Sequence, residues 1–238
     1  MRFSVAPEVF DRFPGIHIAV VIARGLNNQI APPEVVEQWR AAWQEAGQTG
    51  TQYGNAQSHP RIRPWRDRFQ TMGVSGKQFP SSAEALLRRA LKGGEPFSIN
   101  ALVDFYNAVS LRYSVPVGAF DLGDIHGPLE LRLTRDGDTF TALGDDEVIN
   151  VPAGEVAYTD GSTIITRHFV WRQSRAGLIT QETRDAFLVS EILGEVGEDI
   201  AQLVLSDLNA GAQSLFGATT QPFLVSAENP SIEWADAQ

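Results

Sequence analysis

The chain has 238 residues, 43% of them hydrophobic and 20% charged, with a net charge of −10. That length and balance suit one globular unit with a sizeable core and exclude a disordered or low-complexity chain. Cysteine is absent, which excludes disulfides, thiolate catalysis and cysteine-held metal centres.

No apolar run approaches the ~20 residues that a membrane helix needs. The charged start, residues 1–10, does not read as a secretory leader. A cytoplasmic protein with no membrane partner is therefore expected.

Residues 2–5 read as a short strand and the unbroken apolar run HIAVVIAR, residues 17–24, as a buried one. Pro32-Pro33 opens a helix to about Glu45, with Val35, Val36, Trp39, Ala42, Trp43 and Ala46 at helical spacing. Residues 48–58 are polar and read as a loop, and residues 59–72 as a proline-led basic helical stretch. Ser81 and Glu84 form a capping box for a helix over residues 81–92, which Gly93-Gly94 stop. A second strong helix covers residues 101–112.

Strands are expected at residues 129–135, 139–143, 155–159 and 162–171, with turns at Asp136-Gly137 and Asp160-Gly161. Thr180 is read as capping a helix over residues 181–193. A long helix comes next at 198–216, then a returning strand at 221–226. Helices beside clustered antiparallel strands point to an α+β fold.

Charge is unevenly distributed. Residues 59–92 hold Arg61, Arg63, Arg66, Arg68, Lys77, Arg88, Arg89 and Lys92 against only Asp67 and Glu84, a local +6 on a remainder of −16. No basic residue lies beyond Arg184. A basic face on an acidic body suits RNA docking through Arg61, Arg63, Arg66, Arg68, Arg88, Arg89 and Lys92. A solvated arginine face, or charges spent on internal ion pairs, is the alternative reading.

The helix INALVDFYNAVSLR, residues 99–112, is apolar nearly all round, yet Asn100, Asp104 and Asn107 fall on one stripe. Asn and Asp are poor helix-interior residues, so a buried helix that keeps them is hydrogen-bonding something specific, either a ligand or its own loops.

Residues 99–122, INALVDFYNAVSLRYSVPVGAFDL, resemble I-N-N-V-V-D-x-T-N-Y-V-M-L-x-x-G-Q-P-x-H-A-F-D-L of the tRNA-editing (B3/B4) domain of the phenylalanyl-tRNA synthetase β subunit. The matches are Ile99, Asn100, Val103, Asp104, Asn107, Val109, Leu111, Pro116, Ala119, Phe120, Asp121 and Leu122. WRDRF, SSAEALLRRALKGG and RHFVWRQS are similar to segments of free-standing members. The resemblance implies mixed and antiparallel sheets in two intimately packed halves with flanking helices. The resemblance covers about residues 3–193, taken as the core of one domain over residues 1–238, whose residues 194–238 read as an acidic, helical section. It further implies hydrolysis of the ester of mischarged tRNA in a pocket between the halves, with Asn107 in it. Two pocket positions depart from the family: Tyr106 stands where it has Thr, and Gly118 where it has His. The family's L-A-G-V-M-G-G turn is absent, and residues 167–172 occupy the comparable place.

Ester hydrolysis needs a positioned water, a proton acceptor and oxyanion donors. Asn107 and Asp104 are the candidates for placing water and moving its proton. Asn100, Tyr106, Gly118, Glu130, Arg167, His168 and Arg172 are candidates for holding the aminoacyl group and terminal ribose. The four histidines make no H-x-H or H-E-x-x-H pair, so neither metal nor other cofactor is expected. The expected partner is the acceptor end of tRNA with its aminoacyl group, and a homo-oligomer is left open. A non-catalytic module of the same fold, holding tRNA or an amino acid, is the competing reading.

Overall fold

Two apolar strands buried on both faces organise the molecule. The computed structural model describes residues 1–235. Its helices are α1 (Pro7–Arg12), α2 (Pro33–Thr49), α3 (Arg63–Thr71), α4 (Ser82–Ala90), α5 (Ala101–Tyr113) and α6 (Glu198–Phe216). Its strands are β1 (Arg2–Val5), β2 (His17–Arg24), β3 (Val117–Asp121), β4 (Leu129–Leu133), β5 (Thr139–Thr141), β6 (Val148–Asn150), β7 (Val156–Asp160), β8 (Thr163–Ile164), β9 (Thr166–Arg167), β10 (Arg172–Gln173), β11 (Ala186–Ile192), β12 (Thr219–Val225) and β13 (Ser231–Glu233). The fold is α+β.

One sheet runs β12-β2-β11-β3, antiparallel throughout. The other runs β13-β1-β4-β7-β8-β5-β6, mixed through the parallel pairs β1–β4 and β5–β8. β9 and β10 pair as a small separate ribbon.

Phe3, Leu131 and Tyr158 from the mixed sheet pack with Ile18, Val20, Phe187 and Val189 from the antiparallel one, so the main core lies between the sheets. Alternate residues of the antiparallel sheet, Ala19, Val21, Leu188 and Ala119, face α5 and α6 in a second core. α2 and α4 pack on α5 in a third layer around Trp39, Trp43 and Leu87. Each fully buried Val, Leu, Ile or Phe contributes about 1.5–3 kcal/mol.

The expected strand at residues 17–24 and helices near 33, 81, 101 and 198 are present within a few residues. Three expectations change. Residues 186–192 form central strand β11 and not part of a helix; Thr180 Oγ1 accepts from the Glu182 N–H in a local turn. The single strand expected at 162–171 is broken into β8, β9 and a tight turn, because His168 and Phe169 take positive φ of 45° and 62°. The loop at 48–58 contains two short 3₁₀ turns, Gly50–Tyr53 and Ala56–Ser58.

The C-terminal section holds one helix and two strands: β12 edges one sheet and β13 the other. Residues 236–238, the end of the expected acidic section, lie outside the described residues. No helix among the described residues is long and apolar enough to cross a membrane.

Candidate functional site

A cavity of about 240 Å³ opens where the two sheets meet the middle of α5. α5 lines it with Tyr106 and Asn107, β3 with Val117, Gly118 and Phe120, and β11 with Val189 and Glu191. Tyr158 of β7 enters from the other sheet. Residues 169–173, from the second positive-φ residue onward, close a further side, and Ser82 at the start of α4 completes the rim.

The turn that supplies residues 169–173 is held against its backbone preference. A non-glycine residue at positive φ is costly unless its surroundings over-determine it. Here Glu155 does so, accepting from Arg167 Nε at 2.7 Å and Nη2 at 2.7 Å and from the His168 N–H. The Phe169 N–H donates to Val156 O at 2.6 Å, and the Ser82 N–H to Val170 O at 2.8 Å. The last bond ties the turn to the first residue of α4.

Glu191 is the buried carboxyl of the cavity. It lies near the end of a strand that is otherwise apolar but for Ser190, and the Tyr158 hydroxyl donates to its Oε1 at 2.6 Å. Burial raises its pKa to about 7, more than the Tyr158 hydrogen bond and a backbone bond lower it. Tyr158 is pushed up in turn, first by burial and then by the Glu191 charge. Gln173 Nε2 is committed to Ala119 O and Gly177 O at 3.2 and 3.0 Å. The Asn107 amide makes no hydrogen bond among the described residues, so both its donor and acceptor remain for a ligand. A Cβ built on Gly118 meets nothing within 4 Å, so this position leaves open space in the cavity wall.

Four nominated residues thus come together at the cavity: Asn107, Tyr106, Gly118 and Arg172, the last exposed with its guanidinium 5.9 Å from the Trp171 ring centroid. The other five are elsewhere. Asn100 is the N-cap of α5, accepting from Val103 N–H and Asn28 Nδ2 and donating to Ile179 O. Asp104 accepts from Ser98 Oγ and the Ile99 N–H, closing the same helix start. Its pKa is raised by burial against those two bonds. Its charge joins burial in raising Tyr106. Glu130 lies 3.6 Å from Arg132 on β4, outside the cavity lining. Arg167 is engaged by Glu155 and lies 5.7 Å from the Phe140 ring centroid. His168 packs against Phe79 and Trp171, and burial lowers its pKa, with the Glu155 carboxylate opposing and the Arg167 charge adding to the shift. The polar stripe on α5 therefore divides, with two members fastening the helix start and Asn107 facing the cavity. Glu191 and Tyr158 were not nominated from sequence; the signal for Glu191 was one acid in the apolar run AFLVSEI.

The basic segment is partly spent on internal pairs. Arg63 pairs with Asp67, Arg68 with Glu195, and both Arg66 and Arg88 with the fully buried Glu84. Arg61 donates to Tyr113 O at 2.8 Å, and Arg89 lies over Phe97. Among the described residues no group of three or more His, Asp or Glu side chains is arranged to hold a metal.

Comparison with known proteins matches residues 65–203 to the B3/4 domain model. Every residue named in the cavity wall lies within that span. A phenylalanine–tRNA ligase beta subunit of Pseudomonas putida is 32% identical over 100 residues, covering 42% of this chain and 12% of that protein. One from Pseudomonas fluorescens strain Pf-5 is 28% identical over 106 residues, covering 44% and 13%. The chain thus spans about an eighth of the length of these curated relatives. An N-terminal fragment of the phenylalanyl-tRNA synthetase beta-subunit from Pyrococcus horikoshii overlays 92% of this chain and 49% of its own, at 12% identity and a TM-score of 0.49. With more than half of its length matched by the family model, this chain belongs to the B3/4 domain family.

Proposed function

We propose that the chain hydrolyses the ester of an aminoacyl group carried on tRNA. The observation that carries this reading is that one cavity holds both an uncommitted amide, Asn107, and a single buried carboxyl, Glu191, with a pKa of about 7. A base acts best when its pKa lies near the working pH. The cavity volume, below that of most drug-sized ligand sites, suits an aminoacyl group and not a whole nucleotide.

Asn107 orients the attacking water and Glu191, ionised, takes its proton. The water oxygen adds to the ester carbonyl carbon, the bond to the ribose oxygen breaks, and the proton passes from Glu191 to that oxygen. Arg172 and Trp171 at the rim are the groups for the ribose and terminal base. The open wall at Gly118 and the ring of Tyr106 set which side chain enters, the logic of an exclusion sieve.

The competing reading, a module that holds the aminoacyl end without hydrolysing it, is favoured by that same open space, where the family motif carries histidine. Release of amino acid from aminoacyl-tRNA separates the two. The hydrolase reading expects release above the spontaneous rate and a loss of roughly 10²-fold or more in Asn107→Ala. Tight binding with no release sinks it in favour of the module.

A further inference from the structure

A second concavity, about 660 Å³, lies against α3, the end of α4 and the loops before them. It is lined by Arg66, Lys77, Arg88 and Lys92 with Asn55 and Gln57, and no acidic side chain lines it. The countercharge that pairs with it is the fully buried Glu84, which accepts from Arg66 Nε and Nη2 at 2.7 and 2.6 Å and also from Arg88. One buried carboxylate thus holds two guanidiniums in place, and the groove keeps three net positive charges. Lys77 and Lys92 are exposed and have no ion-pair partner among the described residues. Asn55 Oδ1 is engaged by Ser58, leaving its Nδ2 as an uncommitted donor.

Groove and cavity share their framework. Ser82 begins α4 at the cavity rim and Arg88 lies six residues along the same helix, roughly 9 Å away at the helical rise. The loop before α4 carries Lys77 at the groove and Phe79, whose ring packs 4.6 Å from that of Trp171 at the cavity. Arg66 is seated where Gly76 leaves room, since a Cβ there would come within 3.2 Å of Arg66 Cγ.

We propose that this groove takes the sugar–phosphate backbone of a short single-stranded RNA 3′ end whose terminal residue sits at the cavity. The proposal rests on the hydrolase reading for its choice of RNA. It singles out Arg66, Lys77, Arg88 and Lys92 from the wider basic segment: Arg63 and Arg68 are paired away from the groove, and Arg61 and Arg89 do not line it.

The test is binding of a fluorescent single-stranded ribo-oligonucleotide with a free 3′ hydroxyl, read by anisotropy across a salt series. Three proteins are compared: the unmodified chain, Lys77→Glu/Lys92→Glu, and a control with the same change in net charge outside the groove, Arg40→Glu/Arg135→Glu. Each phosphate released from a single strand removes ~0.7 from the slope of log affinity against log salt. The expected result is a weakening of at least tenfold at low salt and a slope reduced by about 1.4, from the two lysines, in the groove variant, with the control close to the parent. Equal effects in both variants, or no RNA binding by the parent, overturn the groove. Hydrolysis of a small aminoacyl ester by the unmodified chain reads the cavity separately: failure there with salt-dependent RNA binding intact removes the hydrolase and leaves the groove.

Discussion

At the scale of single residues, Glu191 sets the pH behaviour. Its folded pKa of about 7 exceeds the ordinary value of 4.5 because burial outweighs its hydrogen bonds. Between those values the folded protein holds a proton that the unfolded chain has released, so stability falls as pH rises through that window. Glu191→Gln removes the penalty. It is expected to gain up to ~3 kcal/mol over the parent above pH 7 and nothing below pH ~4, by urea unfolding at both pH values. An equal gain at both would point to packing instead of ionisation. Gly118 gives a second expectation. Its backbone needs no left-handed φ and its Cβ position is open. Gly118→Ala should leave stability within ~1 kcal/mol, whereas Gly118→Phe should fill the cavity and abolish turnover while the thermal midpoint stays near that of the parent. Asn107, Tyr106 and Gly118 were legible because they stand in a long ungapped motif. Arg167 and His168 were nominated by residue type in a strand, and nothing in their spacing announces that Glu155 uses the one and aromatic rings enclose the other. Tyr158 was silent because a tyrosine in a strand reads as core.

At the scale of elements, buried packing decides what periodicity leaves open. β11, AFLVSEI, is covered on both faces, so it shows no alternation; a short apolar run of that kind cannot be told from a buried helix by period alone. The same covering made HIAVVIAR legible as a strand, since Ile and Val dominate it. α5 and α6 meet so closely at Gly211 that an added Cβ would lie 2.2 Å from the Phe105 ring. Alanine would favour the helix by about 1 kcal/mol, but overpacking a filled core costs typically 1–3 kcal/mol, and Phe105 is buried among Leu102, Val109 and Phe216. Gly211→Ala is therefore expected to lose up to about 2 kcal/mol in chemical denaturation. A gain would mean that the ring moves aside freely.

At the scale of the whole molecule, the α+β class was legible from element order, because helices alternate with clusters of antiparallel strands and not with single ones. The sheet orders were not. β13 beside β1 joins the two ends of the chain, with Arg2 opposite Glu233, and no local signal marks so distant a pairing. The cavity inherits this distance: its walls come from α5, β3, β7, β11 and the strained turn, which only the folded chain brings together. The most direct measurement of its use is single-turnover release of amino acid from a panel of mischarged tRNAs, measured against pH in the parent and in Glu191→Gln. The account predicts one amino acid released well above the spontaneous rate, a rate that climbs as pH rises through about 7, and a flattened profile lowered by roughly 10² or more in Glu191→Gln. Release from no member of the panel, or a profile that Glu191→Gln leaves unchanged, would contradict it.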